Sequence, residues 1–135
     1  MNNKDHVKEG KELVHKLVRD KIPELIENDD IVEKIQLTEK GKQYHLLRKL
    51  DEELDEFHRA ISLLETQNGI KNLVEEAADV IEVIEEITIS LGETSRTSLY
   101  AIKEAKKEEC GGFKQGNFIV WHNDPLKGEL KGCED

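Results

Sequence analysis

Proline, cysteine and aromatic residues are scarce in these 135 residues. The two prolines are Pro23 and Pro125, and the roughly hundred residues between them contain no helix-breaker of that kind. The two cysteines, Cys110 and Cys133, are too few for a disulfide framework and lack a metal-ligand spacing. No apolar run approaches the roughly 20 residues that span a bilayer. The polar stretch Met1 to Gly10 has no apolar segment of the kind a signal peptide needs. These absences exclude a membrane-embedded or disulfide-scaffolded protein and make the cytoplasm the expected compartment. Apolar residues of all kinds reach only 36% and aromatics 4%. Long helices with so little to bury finish their core against another subunit, so a homodimer or larger assembly is expected.

Charge is what the chain has instead. Asp, Glu, Lys and Arg make up 37%, against about 25% in an average globular domain. The formal net charge of −10 excludes a nucleic-acid backbone or an anionic membrane as partner. It also means that a polyphosphate substrate needs divalent cations to approach. The apolar residues are periodic, so the charge coats amphipathic helices rather than marking disorder.

The expected fold class is all-α: an antiparallel bundle of about four helices with a short irregular or hairpin C-terminal segment. One domain spans residues 1–135, with mobile ends at 1–14 and 125–135. A first helix runs from about Asp20, its cap, to Asn28, with Pro23 in the first turn. A second starts after Thr38 or Gly41 and continues to about Glu65, carrying Leu46, Leu47, Leu50, Leu54, Phe57, Ile61 and Leu64 at three-four spacing. Asn68 can cap a third, which carries Ile70, Leu73, Val74, Ala77, Ile81, Ile84, Ile87 and Leu91 and stops at Gly92. A fourth follows Thr94 to Ser98, holds Leu99, Ile102 and Ala105, and ends at Gly111 and Gly112. Phe113 to Trp121 can form a hairpin about Gly116–Asn117. The short connection makes the second and third helices antiparallel neighbours.

Two acidic pairs stand out against this frame. At roughly 100° per residue, Glu53 falls about 60° from Leu50, inside the apolar arc, and Glu56 about 120° off, at its edge. On the third helix Glu76 falls about 100° from Ala77, and Asp79 about 160° off. A single Glu-x-x-Glu is commonplace on a solvated helix face. Two pairs at matching spacing, each encroaching on the apolar stripe of adjacent helices, weigh a site evenly against a solvated face; uncompensated buried anions cost several kcal/mol each, so such a cluster is kept either by protonation or by a bound cation. Hard divalent ions such as Mg²⁺ take oxygen ligands.

Glu52-Glu53-x-x-Glu56 followed by Glu76-x-x-Asp79 resembles the signature of the MazG-like all-α nucleoside triphosphate pyrophosphohydrolases. Glu75-Glu76-Ala77-Ala78-Asp79-Val80-Ile81 looks like the phosphoribosyl-ATP pyrophosphohydrolase branch. Lys16-Leu17-Val18-Arg19-Asp20-Lys21-Ile22-Pro23 and Lys107-x-x-x-Gly111-Gly112-Phe113 resemble further stretches of that superfamily, so the likeness covers roughly residues 15 to 120. Cys110 departs from it where many relatives carry Arg, and Trp121 to Pro125 match nothing in it. The resemblance implies a homodimer or homotetramer that hydrolyses a nucleotide between its α- and β-phosphates with Mg²⁺, or Mn²⁺ in its place. It implies Glu53, Glu56, Glu76 and Asp79 as metal ligands and Glu52 as an accessory acid, with Glu52 or Glu53 as the base that orients water.

Cations must receive the phosphates. Lys16, Arg19 and Lys21 cluster at the start of the first helix, and Lys103 and Lys107 stand four apart on the fourth. The first group reads equally as a surface patch, and the second as lysines placed against a helix's negative end. Two rivals to a pyrophosphohydrolase are a non-catalytic acidic interaction module and a di-iron carboxylate protein, the latter hinted at by Asp55-x-x-His58. The di-iron reading lacks the second such pair it needs.

Overall fold

The computed structural model describes residues 12–26, 30–31, 33–120 and 122. Among these the chain is all-helical, with α1 at Ile22–Leu25, α2 at Glu39–Ser62, α3 at Gly69–Gly92 and α4 at Arg96–Cys110, and no strand. None of the helices is long and apolar enough to cross a membrane. The chain divides into two compact units, Met1–Gly92 and Glu93–Asp135.

In the first unit α2 and α3 pack side by side. Lys42, near the start of α2, pairs with Glu86 near the end of α3, and Glu53 meets Glu76 and Asp79 at mid-length. The pair is therefore antiparallel. Thr38 caps α2, accepting a hydrogen bond from the Gly41 amide at 3.2 Å. The turn into α3 depends on Gly69. A Cβ there would sit 2.5 Å from the carbonyl oxygens of both Leu63 and Leu64. Asn68, at φ 63°, takes the left-handed conformation that asparagine tolerates, and its carbonyl accepts the first helical bond, from the Asn72 amide at 2.9 Å. Gly69→Ala is expected to lower the melting temperature by several degrees, since two backbone oxygens must move to admit one methyl. An unchanged melt would show that the turn relaxes freely.

The α2–α3 seam does not run along the most apolar line. Leu46, Glu53 and Ala60, seven residues apart, are the buried positions of α2, and Gly69, Val83 and Glu85 those of α3. Polar groups share this inner seam, with Gln43 Nε2 donating to Ser90 Oγ at 3.4 Å. A second stripe lies exposed. It comprises Leu47, Leu54 and Ile61 on α2, Leu64 just past its end, and Ile70, Val74, Ile81, Ile84 and Leu91 on α3. The exposed positions recur at seven residues on α2 and at three, four and seven on α3, over about three heptads, as along a coiled-coil seam. Leu46, Ala60 and Val83 are the buried apolar residues among those described, and no large side chain is fully enclosed.

The expected helix from Asp20 to Asn28 shrinks to the four residues of α1. Lys21, not Asp20, stands at its N-cap and makes no side-chain cap bond, and the chain turns extended at Ile26, ψ 151°. So short a helix lacks the bonds that offset nucleation. Asn28 lies outside the described residues.

In the second unit Ser95 caps α4, accepting from the Ser98 amide at 3.1 Å, and Arg96 lies over the Tyr100 ring at 5.5 Å. Gly111 ends the helix at φ 82°, its amide donating to the Lys107 carbonyl at 2.8 Å. Cys110 is disulfide-bonded, against the expectation that the cysteines form no such framework; Cys133 lies outside the described residues. Of the two expected forms for the C-terminal segment, the irregular one is found. Residues 113–120 make a single turn, the Gly116 amide donating to the Phe113 carbonyl at 3.2 Å, and no hairpin. Phe113, Phe118 and Val120 are exposed, and a two-stranded hairpin without packing is marginal in water. Trp121 and the end from 125 lie outside the described residues.

Candidate metal centre

Three acids converge across the inner seam. Glu53 from α2 and Glu76 and Asp79 from α3 each offer a carboxylate oxygen, and these oxygens lie within 4.8 Å of one another. Their convergence follows from helix geometry. Glu53 occupies the middle of the buried 46–53–60 line, while positions 76 and 79, one turn apart, straddle the facing side of α3. Glu53 is 5% exposed, and Glu76 and Asp79 are half-buried.

The cluster is short of hydrogen-bond donors. Among the described residues, the buried side-chain atoms without a hydrogen-bond partner are Glu53 Oε2 and Glu76 Oε2. Burial pushes the Glu53 carboxyl above its ordinary 4.5, and the adjoining Glu56 pushes the same way, against the opposing pull of Lys49. Glu56 thus reaches the Glu53 carboxyl but stands outside the converging three. Oxygen-only donors from two helices, with two buried acceptors unfilled, fit a hard divalent cation.

Cations approach from the 12–21 segment. Arg19 Nη2 donates to Asp79 Oδ1 at 2.6 Å, and Lys16 Nζ lies 3.6 Å from Glu52 Oε1. Lys21 lines the same cleft, together with Arg19, Ile22, Leu46, Glu53 and Asp79. Glu52 sits at the partly exposed rim, between Lys16 and Lys49. Lys103, 3.5 Å from Glu104 Oε1, and Lys107 belong to α4 of the second unit. Asp55 and His58 are both exposed, which leaves the di-iron pattern without an inward-facing pair.

Two residues escaped the sequence reading. Lys49 lies 3.2 Å from Glu53 Oε1 and 3.8 Å from Glu52 Oε1. Its position four before Glu53 and three before Glu52 was the available signal. Glu85 is buried on α3; at about 80° from Ala77 it fell inside the apolar arc, so the same periodicity finds it. No family model, curated protein or solved structure matches this chain.

Proposed function

We propose that the chain is a Mg²⁺-dependent nucleotide pyrophosphohydrolase of the MazG-like kind, cleaving between the α- and β-phosphates. The observation that carries this reading is the meeting of Glu53, Glu76 and Asp79 within 4.8 Å, with Glu53 Oε2 and Glu76 Oε2 buried and unpartnered. The signature that the acidic pairs resemble supplies the reaction class.

Glu53, Glu76 and Asp79 would hold the ion, with Glu56 adjoining. When bound, Mg²⁺ or Mn²⁺ supplies positive charge beside the polyphosphate and Lewis acidity toward water. Arg19 and Lys21 on the cleft wall receive phosphate oxygens, Arg19 by its planar fork, and Lys16, seated beside Glu52, is a further candidate. Glu52 or Glu53 takes the proton of the water that attacks the α-phosphorus. The bond to the bridging oxygen breaks, and pyrophosphate leaves a nucleoside monophosphate behind. Nucleotide pools favour the cytoplasm for this activity, while the Cys110 disulfide weighs against that compartment, where such bonds are rare.

The exposed heptad stripes of α2 and α3 support a homodimer in which two copies complete a four-helix core. The apolar line left open on each helix pair is long, regular and self-complementary in chemistry, as an isologous interface requires.

A pyrophosphate-release screen across nucleoside triphosphates and phosphoribosyl-ATP tests the activity directly. A thermal-shift series tests the metal. At a hundredfold excess over Kd a cation adds about 2.7 kcal/mol, roughly 10 °C or more for a unit of this size. Saturable stabilisation by Mg²⁺ or Mn²⁺ is expected. A melt indifferent to both ions would favour the acidic interaction module instead.

A further inference from the structure

Of the cations that pair with these acids, Lys49 is the most enclosed. Its side chain is 17% exposed, against 48% for Lys16 and 56% for Arg19. Its ammonium sits on Glu53 Oε1, while Oε2 of the same buried carboxylate has no hydrogen-bond partner. One carboxylate therefore carries a resident cation on one oxygen and an unfilled acceptor on the other.

A divalent ion drawn to Glu53, Glu76 and Asp79 would share Glu53 with that ammonium. Two positive charges on one carboxylate repel, strongly so in a seam with little water. The lysine stem is flexible, and Glu52 offers another seat. Its side chain is 36% exposed, and Nζ already stands 3.8 Å from it.

We propose that Lys49 is an internal competitor of the metal, neutralising the seam in the metal-free protein and moving off Glu53 toward Glu52 and the cleft when a cation binds. Lys49 is then a positioning residue that weakens cation affinity in exchange for a folded metal-free state. The inference rests on the metal centre proposed above and adds to it a residue of opposite charge.

Competition has a signature that plain structural support lacks. Removing the ammonium tightens cation binding while loosening the metal-free fold, whereas loss of mere packing loosens the fold and leaves affinity unimproved. Titration calorimetry with Mg²⁺ on the wild type, Lys49→Met and Lys49→Arg reads the difference. Lys49→Met is expected to lower Kd on the order of tenfold and to melt several degrees lower without metal. Lys49→Arg should keep a Kd near the wild type's.

If the wild type binds Mg²⁺ and Lys49→Met binds it no more tightly, the competitor role is overturned and the metal centre stands. A wild type that binds no Mg²⁺ overturns both. Should Lys49→Met fail to fold, the wild type decides. Reductive methylation of Lys49, followed by mass spectrometry, should rise severalfold with saturating Mg²⁺. Lys71, 76% exposed, serves as the internal reference. Unchanged labelling of Lys49 in the cation-bound protein overturns the proposal.

Discussion

Glu53→Gln is expected to reduce pyrophosphate release by roughly 10²–10³-fold, the loss typical when one charged group of a preorganised site is removed, while raising the melting temperature of the metal-free protein. The two effects have one origin. Glu53 is a buried carboxylate whose ionised form is disfavoured by burial and by Glu56, with Lys49 offsetting only part of this. An amide of the same shape removes the charge, and Lys49 keeps Glu52 as a partner. Lost activity with a lower melting temperature would mean that the substitution merely damages the fold. Full activity would remove Glu53 from the chemistry.

The pH dependence has a definite sign. A carboxyl whose pKa is raised in the folded state binds its proton more tightly there than in the unfolded chain. Stability linked to that proton is fully present below the ordinary value of 4.5 and is lost as pH rises through the folded value. Burial, Lys49 and Glu56 set this balance, and Glu76 and Asp79 of α3 also lie close to the Glu53 carboxylate. Melts of the metal-free protein should therefore show the advantage of Glu53→Gln over the wild type growing from about pH 4.5 upward. A constant advantage across pH would detach it from the Glu53 proton.

Ile81→Glu is expected to convert the proposed dimer to a monomer, from about twice 15.5 kDa to 15.5 kDa by light scattering, with a large drop in melting temperature. Ile81 is central to the exposed α3 stripe and 49% exposed in the single chain. Burying such a side chain contributes about 1.5–3 kcal/mol, and an isologous interface doubles the loss because each copy carries the substitution. The charge would also have to be buried without a partner. Leu54→Glu, on the companion stripe of α2, should behave alike. A wild type that is already monomeric, or an Ile81→Glu dimer, would show that the stripe is not the contact.

The long helices were legible because their signals are local. Thr38 and Ser95 are cap residues that cap, Gly111 takes the positive φ that ends α4, and the three-four spacing spans α2 and α3. Glu53 was legible for the same reason, as an acid inside an apolar arc that is in fact buried. The choice of face was not. Each helix carries two overlapping heptad lines, and periodicity alone does not say which one meets its neighbour in the same chain. The seam chose the 46–53–60 line, leaving 47–54–61 exposed, so Glu56 adjoins the converging three instead of joining them. Lys49 went unremarked because lysines within a turn of glutamates are ordinary on solvated helices, and only burial separates this one from the rest. The longer α1 was misjudged, and the choice between an irregular segment and a hairpin after α4 stayed open, because turn and cap residues supply conformation but no packing.

The tight joint at residues 63–69 has a consequence for how such a chain can change. With the Leu63 and Leu64 carbonyls crowding the Gly69 Cα, the joint clamps the phase of one helix relative to the other, much as a key fixes a wheel on its shaft. Adding a single residue there would turn α3 by about 100° and swing Glu76 and Asp79 away from Glu53, with both helices intact and every acid still present. A substitution can change one side chain and leave this phase intact, but a change in the number of residues in that joint cannot leave the site assembled.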